Sequence, residues 1–440
     1  MASTFDKYLA RHAAPEAALA EALPGGPWGA TAVMPAYDEG DALAPALRSL
    51  TAASRPPHPT LLILVLNATE DAPPEALRRN DDTRGLLHAA AAPTLTLPSL
   101  TLHAWDDRLQ VLLIDRSSPG AFLPPGGGVG HARRLGADLA AALHHAGRVQ
   151  TPWIWSLDAD ATVPTDLLSL GDAALARSPR CAALVAPFAH VFADDPAQAE
   201  AGRLYDLSLR YYVLGLAWAG SPWAYWTLGS ALASRASAYA AVRGFPRRTA
   251  GEDFYLLGKL AKQGPLYRGH GARIQIQARV SSRVPFGTGP AIQRWSEQDA
   301  ARDRFPLYDP RCFIALRCWL EHLPLLAQGA SGLPSHPTCP WLPDALERLG
   351  APRRIERALA ASPDPHVRLR HLHTWFDAFQ TLKLIHACRD HHCPSPRWSE
   401  ALRRAPFWPD ATPHPDLANA QRRAVALEGQ LGAALLGLGG

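Results

Sequence analysis

Residues 152–164 read PWIWSLDADATVP: an apolar run from Pro152 to Leu157 stops at two carboxylates one residue apart, Asp158 and Asp160. A continuous apolar run of this length is the pattern of a strand covered on both faces, as in a parallel sheet. The same alternation extends outward from it. Thr31 to Met34 is a short apolar run closed by Pro35, Asp41 to Ala53 has helical spacing through Leu43, Leu47 and Leu50, and Thr60 to Leu66 is a continuous aliphatic strand. A helix over 75–92, a strand over Gln110 to Asp115 and an Ala/Leu helix over Val129 to His145 lead into the quoted stretch; a helix over 165–177 and a strand over 181–188 follow it. Such alternation predicts an α/β fold with a mostly parallel central sheet and helices on both faces, whose ligands bind outside the carboxyl ends of the strands. Pro35-Ala36-Tyr37, Asn67-Ala68-Thr69, Asp115-Arg116-Ser117 and Asp158-Ala159-Asp160 all stand where an apolar run ends, so they are expected on one rim.

The chain of 440 residues, 47% of them hydrophobic, is long enough for two or three domains. Its 44 basic and 40 acidic residues leave a net charge of +4, which gives no electrostatic footprint for nucleic acid and no polybasic membrane anchor. Small-molecule chemistry is the expectation. Residues 1–28 read as an N-terminal helical segment without an apolar run of signal-peptide length, and six cysteines at no scaffold-like spacing agree with a reducing, cytoplasmic setting. Tyr211 to Ser234 carries no charged side chain and is long enough to span a bilayer, but Gly220-Ser221-Pro222 breaks it. A buried helix-turn-helix, or an apolar surface that grips an acceptor, is expected there instead of a span. Peripheral contact with a membrane's inner face stays compatible with it. Residues 29–297 are read as the α/β domain, and 298–440, with Leu369, Leu372, Phe376 and Phe379 at helical spacing, as a helical C-terminal domain.

Two carboxylates at the end of a strand too apolar to solvate them need a compensating charge. A hard divalent cation supplies it: Mg²⁺ or Mn²⁺ takes one or two carboxylates from a protein and fills its other positions with water and phosphate oxygens. A polar loop that merely caps the strand is the plainer alternative. Gly251-Glu252-Asp253-Phe254 opens a second acidic site about 90 residues downstream. Acidic residues in a first helical turn also follow from capping alone. What favours chemistry is the order of parts: an acidic pair on a strand end, an aromatic loop from Trp226 to Ser230, then this pair.

In order and spacing, AVMPAYDEG (32–40), NATED (67–71), VGHARRLGA (129–137), SLDADATVP (156–164), TLGSALASR (227–235), RGF (243–245) and GEDFYLLGKL (251–260) resemble the family 2 glycosyltransferases. The resemblance covers about residues 28 to 290. It implies a GT-A fold that transfers a sugar from a nucleoside diphosphate sugar to a hydroxyl acceptor, usually with inversion. By that likeness Pro35, Tyr37 and Glu39 line the nucleoside pocket with Asn67 and Arg133 nearby, and Asp158 and Asp160 hold the metal, Asp160 more directly. Gly229 and Ser230 form the acceptor subsite, and Asp253 is the base, with Glu252 beside it or on the acceptor. Such a base takes the acceptor's proton as its oxygen attacks the anomeric carbon. The chain departs from the family where Leu66 stands in place of an Asp before Asn67, and where Asp38-Glu39 replaces Asn-Glu. Residues 281–295, SSRVPFGTGPAIQRW, offer Arg283 as a diphosphate contact, because an arginine fork suits phosphate oxygens; a plain surface loop is the alternative.

Several other signals are weaker. Gly126 to Gly130 lacks the third glycine of a dinucleotide motif, Arg133 standing in its place. His270 is a candidate third metal ligand or an ordinary loop histidine. His386 to Cys393 is a Cys/His cluster without paired Cys-x-x-Cys, better read as a histidine-rich helix surface than as zinc. A sugar-phosphate nucleotidyltransferase-like enzyme also needs paired carboxylates, but Pro35 to Glu39 stands where its phosphate loop would be. A non-catalytic nucleotide-sugar-binding module is supported by Leu66 and opposed by the intact acidic pairs. The acceptor, whether sugar, lipid or small molecule, is not legible in the residues.

Overall fold

The computed structural model describes residues 3–55, 57–248, 250–281, 287–296, 307–409 and 416–437. The chain divides into two compact units. The first comprises Met1–Phe192, Thr227–Pro290 and Ala433–Leu435, the second Ala193–Trp226, Ala291–Gly432 and Leu436–Gly440.

In the first unit, α1 (Thr4–Arg11) precedes strand β1 (Ala30–Ala36), helix α2 (Leu43–Ala53), strand β2 (Thr60–Asn67) and helix α3 (Pro74–Ala90). A hairpin of β3 (Pro93–Leu97) and β4 (Leu100–Ala104) then leads to β5 (Leu109–Arg116), α4 (Val129–His145) and β6 (Trp153–Ser156). β7 (Ala161–Thr162), α5 (Ser169–Arg177), β8 (Ala183–Val185) and β9 (Phe188–Phe192) complete this stretch. α6 (Pro196–Trp218) belongs to the second unit, and the chain returns to the first with β10 (Leu232–Arg235), α7 (Ala236–Ala241), α8 (Glu252–Leu260), β11 (Leu266–Arg268) and β12 (Ile274–Ala278), and at its end with β13 (Ala434–Leu436).

The large sheet has the order β13-β11-β8-β10-β6-β1-β2-β5-β4-β3. Its centre obeys the sequence pattern: β1 runs parallel to β2 and β6, and β2 parallel to β5. The sheet as a whole is mixed, which corrects the expectation of a mostly parallel one. β10 lies antiparallel between β6 and β8, and the β3–β4 hairpin pairs antiparallel with β5. Both departures have a local cause. β3 and β4 are joined by a tight two-residue connection, which only an antiparallel pair can use. β10 is a four-residue strand whose short pattern carries no direction. β7, β12 and β9 make a separate three-stranded sheet directly after Asp160, where no strand was expected.

α4 shows why the rim is compact. Leu135, Leu139 and Leu143 are buried, and a Cβ at Gly136 would stand 2.5 Å from Val33 Cγ1, so only glycine lets the helix approach β1 this closely. Its buried Asp138 accepts hydrogen bonds from the hydroxyls of Tyr8 and Tyr239, the latter at 2.7 Å, and from the Ala14 amide at 2.7 Å. One carboxylate thereby fastens the N-terminal segment and α7 to α4.

The second unit is helical. Tyr211, Leu214 and Leu216 of α6 are buried in a core with Phe313, Trp319 and Phe376. The expected helix-turn-helix over 211–234 is corrected: α6 ends at Trp218, Gly220 turns the chain, and a loop leads into β10. Trp223, Tyr225 and Trp226 are buried, so they form no open surface for an acceptor. The periodic stripe of Leu369, Leu372, Phe376 and Phe379 is likewise split between two helices, Pro365–Trp375 and Ala378–His391, because Asp377 caps the second by accepting from the Phe379 and Gln380 amides. His386 meets the Tyr308 hydroxyl, His392 stacks on Trp341, and Cys388 and Cys393 are buried, so the 386–393 cluster points in several directions. Among the described residues no helix is long and apolar enough to cross a membrane.

Asp138→Ala is expected to leave two buried tyrosine hydroxyls and an amide unpaired and to cost about 3 kcal/mol, read calorimetrically as a melting temperature lowered by several degrees. The exposed capping residue Asp6, replaced by Ala, should change it by less than a third as much. Equal effects of the two would contradict the anchoring role of Asp138.

Candidate active site

The ends of β1, β2 and β6, the start of α4 and the start of α8 surround a cavity of about 400 Å³ in the first unit. Pro35, Tyr37, Glu39, Asn67, Arg133, Asp158, Asp160, Gly229, Glu252 and Asp253 all line it, so most of the residues singled out by sequence do converge. Ser230 is buried beside Gly229 and is not on the wall. Asp115-Arg116-Ser117 is not on it either: Asp115 accepts from the Ser117 amide and hydroxyl and faces Arg84, and Arg116 pairs with Glu16. His270 is exposed and away from the cavity. Arg283 lies outside the described residues.

Arg133 is the centre of the wall. It stands in the first turns of α4 and its side chain is only 3% exposed. Nε donates to Glu252 Oε1 at 2.8 Å, and Nη1 donates to Ser156 Oγ at 2.7 Å and to the carbonyls of Leu157 and Gly229 at 3.2 and 3.1 Å, while Nη2 donates to Asp158. Burial works against its charge, but the carboxylates of Asp158 and Glu252 outweigh that and raise its pKa. This guanidinium therefore ties the end of β6, the Gly229 loop and α8 together. A Cβ at Gly229 would sit 2.4 Å from Nη2, so any larger residue there would force the guanidinium out of its hydrogen-bonded place.

Glu252 and Asp253 divide the two roles open to acids in a first helical turn. Glu252 is buried and turned to Arg133. Asp253 is half-buried and lines the cavity, and its Oδ1 accepts from the Phe254 amide at 2.7 Å, a local cap. Burial first, then the neighbouring Glu252 and Asp158 charges, push its carboxyl up to about 7 against the opposing pull of the Phe254 amide and Arg133. A carboxyl that titrates near neutrality is suited to taking a proton.

Across the cavity the side chain of Glu39 is 8% exposed and that of Asp160 14%. Arg279, just after β12, reaches both: Nη2 donates to Glu39 Oε2 at 2.7 Å and to Asp160 Oδ2 at 3.1 Å, and Nε lies 3.3 Å from the same Asp160 oxygen. Sequence reading missed Arg279, and no local signal marks it, since QARV looks like any strand end. Asn67 bridges two strand ends; with its amide oriented to satisfy its neighbours it donates to the carbonyls of Val65 and Ala36 at 3.3 and 3.2 Å. Asn80 holds the Asn67 carbonyl from behind. Leu66, the departure from the family pattern, is fully buried between β1 and β5.

The donor chemistry decides whether the rim suits a divalent cation. Among the described residues five carboxylates line the wall, those of Glu39, Asp158, Asp160, Glu252 and Asp253, against the two guanidiniums of Arg133 and Arg279. The surplus is negative and oxygen-rich, which a hard cation matches. No group of three or more His, Cys, Asp or Glu side chains among the described residues is arranged to hold a metal by itself. Asp158 and Asp160 therefore fit the two-carboxylate mode, in which water and phosphate oxygens complete the shell.

No family model matches this chain, and no curated protein does. Among solved structures it is similar to S. aureus TarS 1-349 in complex with UDP-GlcNAc, with a TM-score of 0.36 and 12% identity over 92% of this chain and 90% of that one. It is also similar to the mannosyltransferase PcManGT from Pyrobaculum calidifontis in complex with GDP-Man and Mn²⁺, with a TM-score of 0.36 and 18% identity over 88% of this chain and 93% of that one.

Two outcomes follow from this geometry. Gly229→Ala should displace Arg133 and lower the melting temperature, whereas Gly85→Ala, on the exposed face of α3 with nothing within 4 Å of its added Cβ, should leave it unchanged or raise stability by about 0.5–1 kcal/mol. If Gly229→Ala melts with the wild type, the close approach is not a constraint. Asp253 keeps its proton in the fold to about pH 7, while in the unfolded chain it loses it near pH 3.9. Between those values the folded state holds the extra proton, so stability falls as pH rises from about 4 to 7 and stays lowered above that range. Asp253→Asn should consequently melt higher than wild type at pH 8, with the difference closing towards pH 4; a constant difference would remove the titration as its cause.

Proposed function

We propose that the protein transfers a sugar from a nucleoside diphosphate sugar to a hydroxyl acceptor by inverting displacement, in the manner of a GT-A enzyme of family 2. The observation that carries this reading is the meeting of Asp158-Ala159-Asp160 and Asp253 on one cavity, 400 Å³ in volume, at the carboxyl ends of parallel strands. That volume is in the range of small-molecule sites. Nucleotidyl transfer is less suited to it, because no flexible phosphate loop follows β1: Asp38 takes the Asn80 side chain at its amide and Arg79 at its carboxylate.

On this reading Pro35, Tyr37, Glu39 and Asn67 receive the nucleoside, and the start of α4 at Val129 receives the phosphates beside the orphan amides of its first turn. Asp158 and Asp160 would hold a Mg²⁺ or Mn²⁺ ion, which supplies Lewis-acid stabilisation of the departing diphosphate. Asp253 takes the acceptor hydroxyl's proton on a carboxylate oxygen as the acceptor oxygen bonds to the anomeric carbon. The bond from that carbon to the diphosphate oxygen breaks, its electron pair leaving with the diphosphate. Arg133 fixes Glu252 and Asp158 on either side of this step, and holds the Gly229 loop, which lines the cavity, by its carbonyl. The division into residues 29–297 as the transferase domain and 298–440 as a helical addition is part of the same proposal.

The test is a panel of UDP-, GDP-, ADP- and TDP-sugars titrated calorimetrically with and without Mn²⁺ or Mg²⁺, followed by donor hydrolysis. At least one should bind with metal, Asp160→Ala should lose the metal-dependent part, and Asp253→Asn should retain donor affinity while transfer falls about 10²-fold or more. Binding of no member of the panel refutes the function, and retained transfer in Asp253→Asn refutes the base.

A further inference from the structure

We infer that Arg279 is an exchangeable internal counter-ion: it pairs with Asp160 and Glu39 and passes to the donor's diphosphate when a divalent cation takes its place. The inference rests on the donor and metal reading above and adds a residue and an order of events to it.

The two arginines of the cavity differ in the property that decides which can move. Arg133 is 3% exposed and has three backbone or hydroxyl acceptors besides its two carboxylates. Removing it from that setting would leave buried charges unpaired, which is among the costliest changes a fold can suffer. The Arg279 side chain is 38% exposed, and it donates to the two carboxylates. Its guanidinium can therefore return to water without being buried unpaired, while Glu39 and Asp160, at 8% and 14% exposed, need whatever cation replaces it. A divalent ion brings twice the charge of a guanidinium to the same oxygens, so it wins Asp160 at small cost.

Charge arithmetic then dictates where Arg279 goes. Among the described residues the wall carries five carboxylates against two guanidiniums, and a diphosphate adds further negative charge. The ion alone cannot serve both. A guanidinium freed from Asp160 remains tethered at the end of β12 on the cavity wall, with a planar fork of donors suited to phosphate oxygens. Metal and diphosphate binding are thereby coupled, and linkage makes the coupling reciprocal. A lysine would keep the charge and lose the fork.

The experiment measures binding, by calorimetry on the full chain, of Mn²⁺ alone, of UDP and GDP alone, and of each nucleotide at saturating Mn²⁺, for wild type, Arg279→Gln and Arg279→Lys. Removing the competing cation should make Arg279→Gln bind Mn²⁺ alone several-fold more tightly than wild type, yet bind the nucleotide at saturating Mn²⁺ about tenfold or more weakly. Arg279→Lys should fall between on both measures. Unchanged or weaker Mn²⁺ binding by Arg279→Gln overturns the counter-ion role. Tighter Mn²⁺ binding with undiminished nucleotide affinity overturns the transfer to diphosphate. If wild type binds neither nucleotide with metal, the proposed function fails instead, and the Mn²⁺-only comparison still tests Arg279 by itself. Melting curves of the three proteins confirm that each is folded before binding is compared.

Discussion

The buried guanidinium of Arg133 is the contact on which the cavity depends. A single side chain on α4 holds the carboxylate that ends β6, the carboxylate that begins α8, and the carbonyl of the loop entering β10. These three segments are far apart in the sequence, and each is individually open to another path. An isolated buried charge would be intolerable, so the three acceptor segments must arrive together or not at all. The guanidinium also lies directly against Gly229, while Gly136 against Val33 sets the short distance between α4 and the sheet. Stability and site geometry are therefore one constraint here: the residues that let α4 approach also set where the acidic groups stand.

Arg133 also separates the acids by function. Asp158 and Glu252 share it, so each has a fixed partner inside the fold although one guanidinium offsets only one of the two charges. Asp253 accepts only from the Phe254 amide among the described contacts, and burial together with the Glu252 charge brings it to titrate near neutrality. Asp160, one residue beyond a fully buried Ala159, turns to a different and more exposed guanidinium. The two aspartates of the triplet, equivalent on paper, thus differ in how firmly each is held: one is part of the framework and the other belongs to the exchangeable side of the cavity.

Much of this arrangement was legible in the residues. β2, β5, α4 and the end of β6 were marked by continuous apolar runs or by Ala/Leu periodicity, because strands buried on both faces and helices lying on them have no polar alternatives. The rim motifs were legible for the same reason: polar residues that interrupt such runs must reach the surface at the strand ends. What escaped has a physical explanation in each case. β10 is too short to announce its direction, and β7 spans two residues. The apparent stripe from Leu369 to Phe379 concealed a helix break, because Asp377 satisfies amides that a continuous helix would have satisfied itself. Asp115 fitted the strand-end pattern but is spent on Ser117, Ser118 and Arg84.

Arg279 marks the boundary of what periodicity can reveal. Its role depends on a pairing between β12 and both β7 and β9, strands separated from it by scores of residues, and on no property of its own neighbours in the chain. The β7–β12 pairing starts directly after Asp160, so the register that aligns Gln275 with Thr162 and Ile276 with Ala161 carries Arg279 back past the triplet towards the cavity. A shift of that register by one residue would reverse the faces of β12 and turn the guanidinium away. The small three-stranded sheet is therefore more than an appendage of the large one: it is the device that sets a movable cation opposite a fixed one, with the paired aspartates between them.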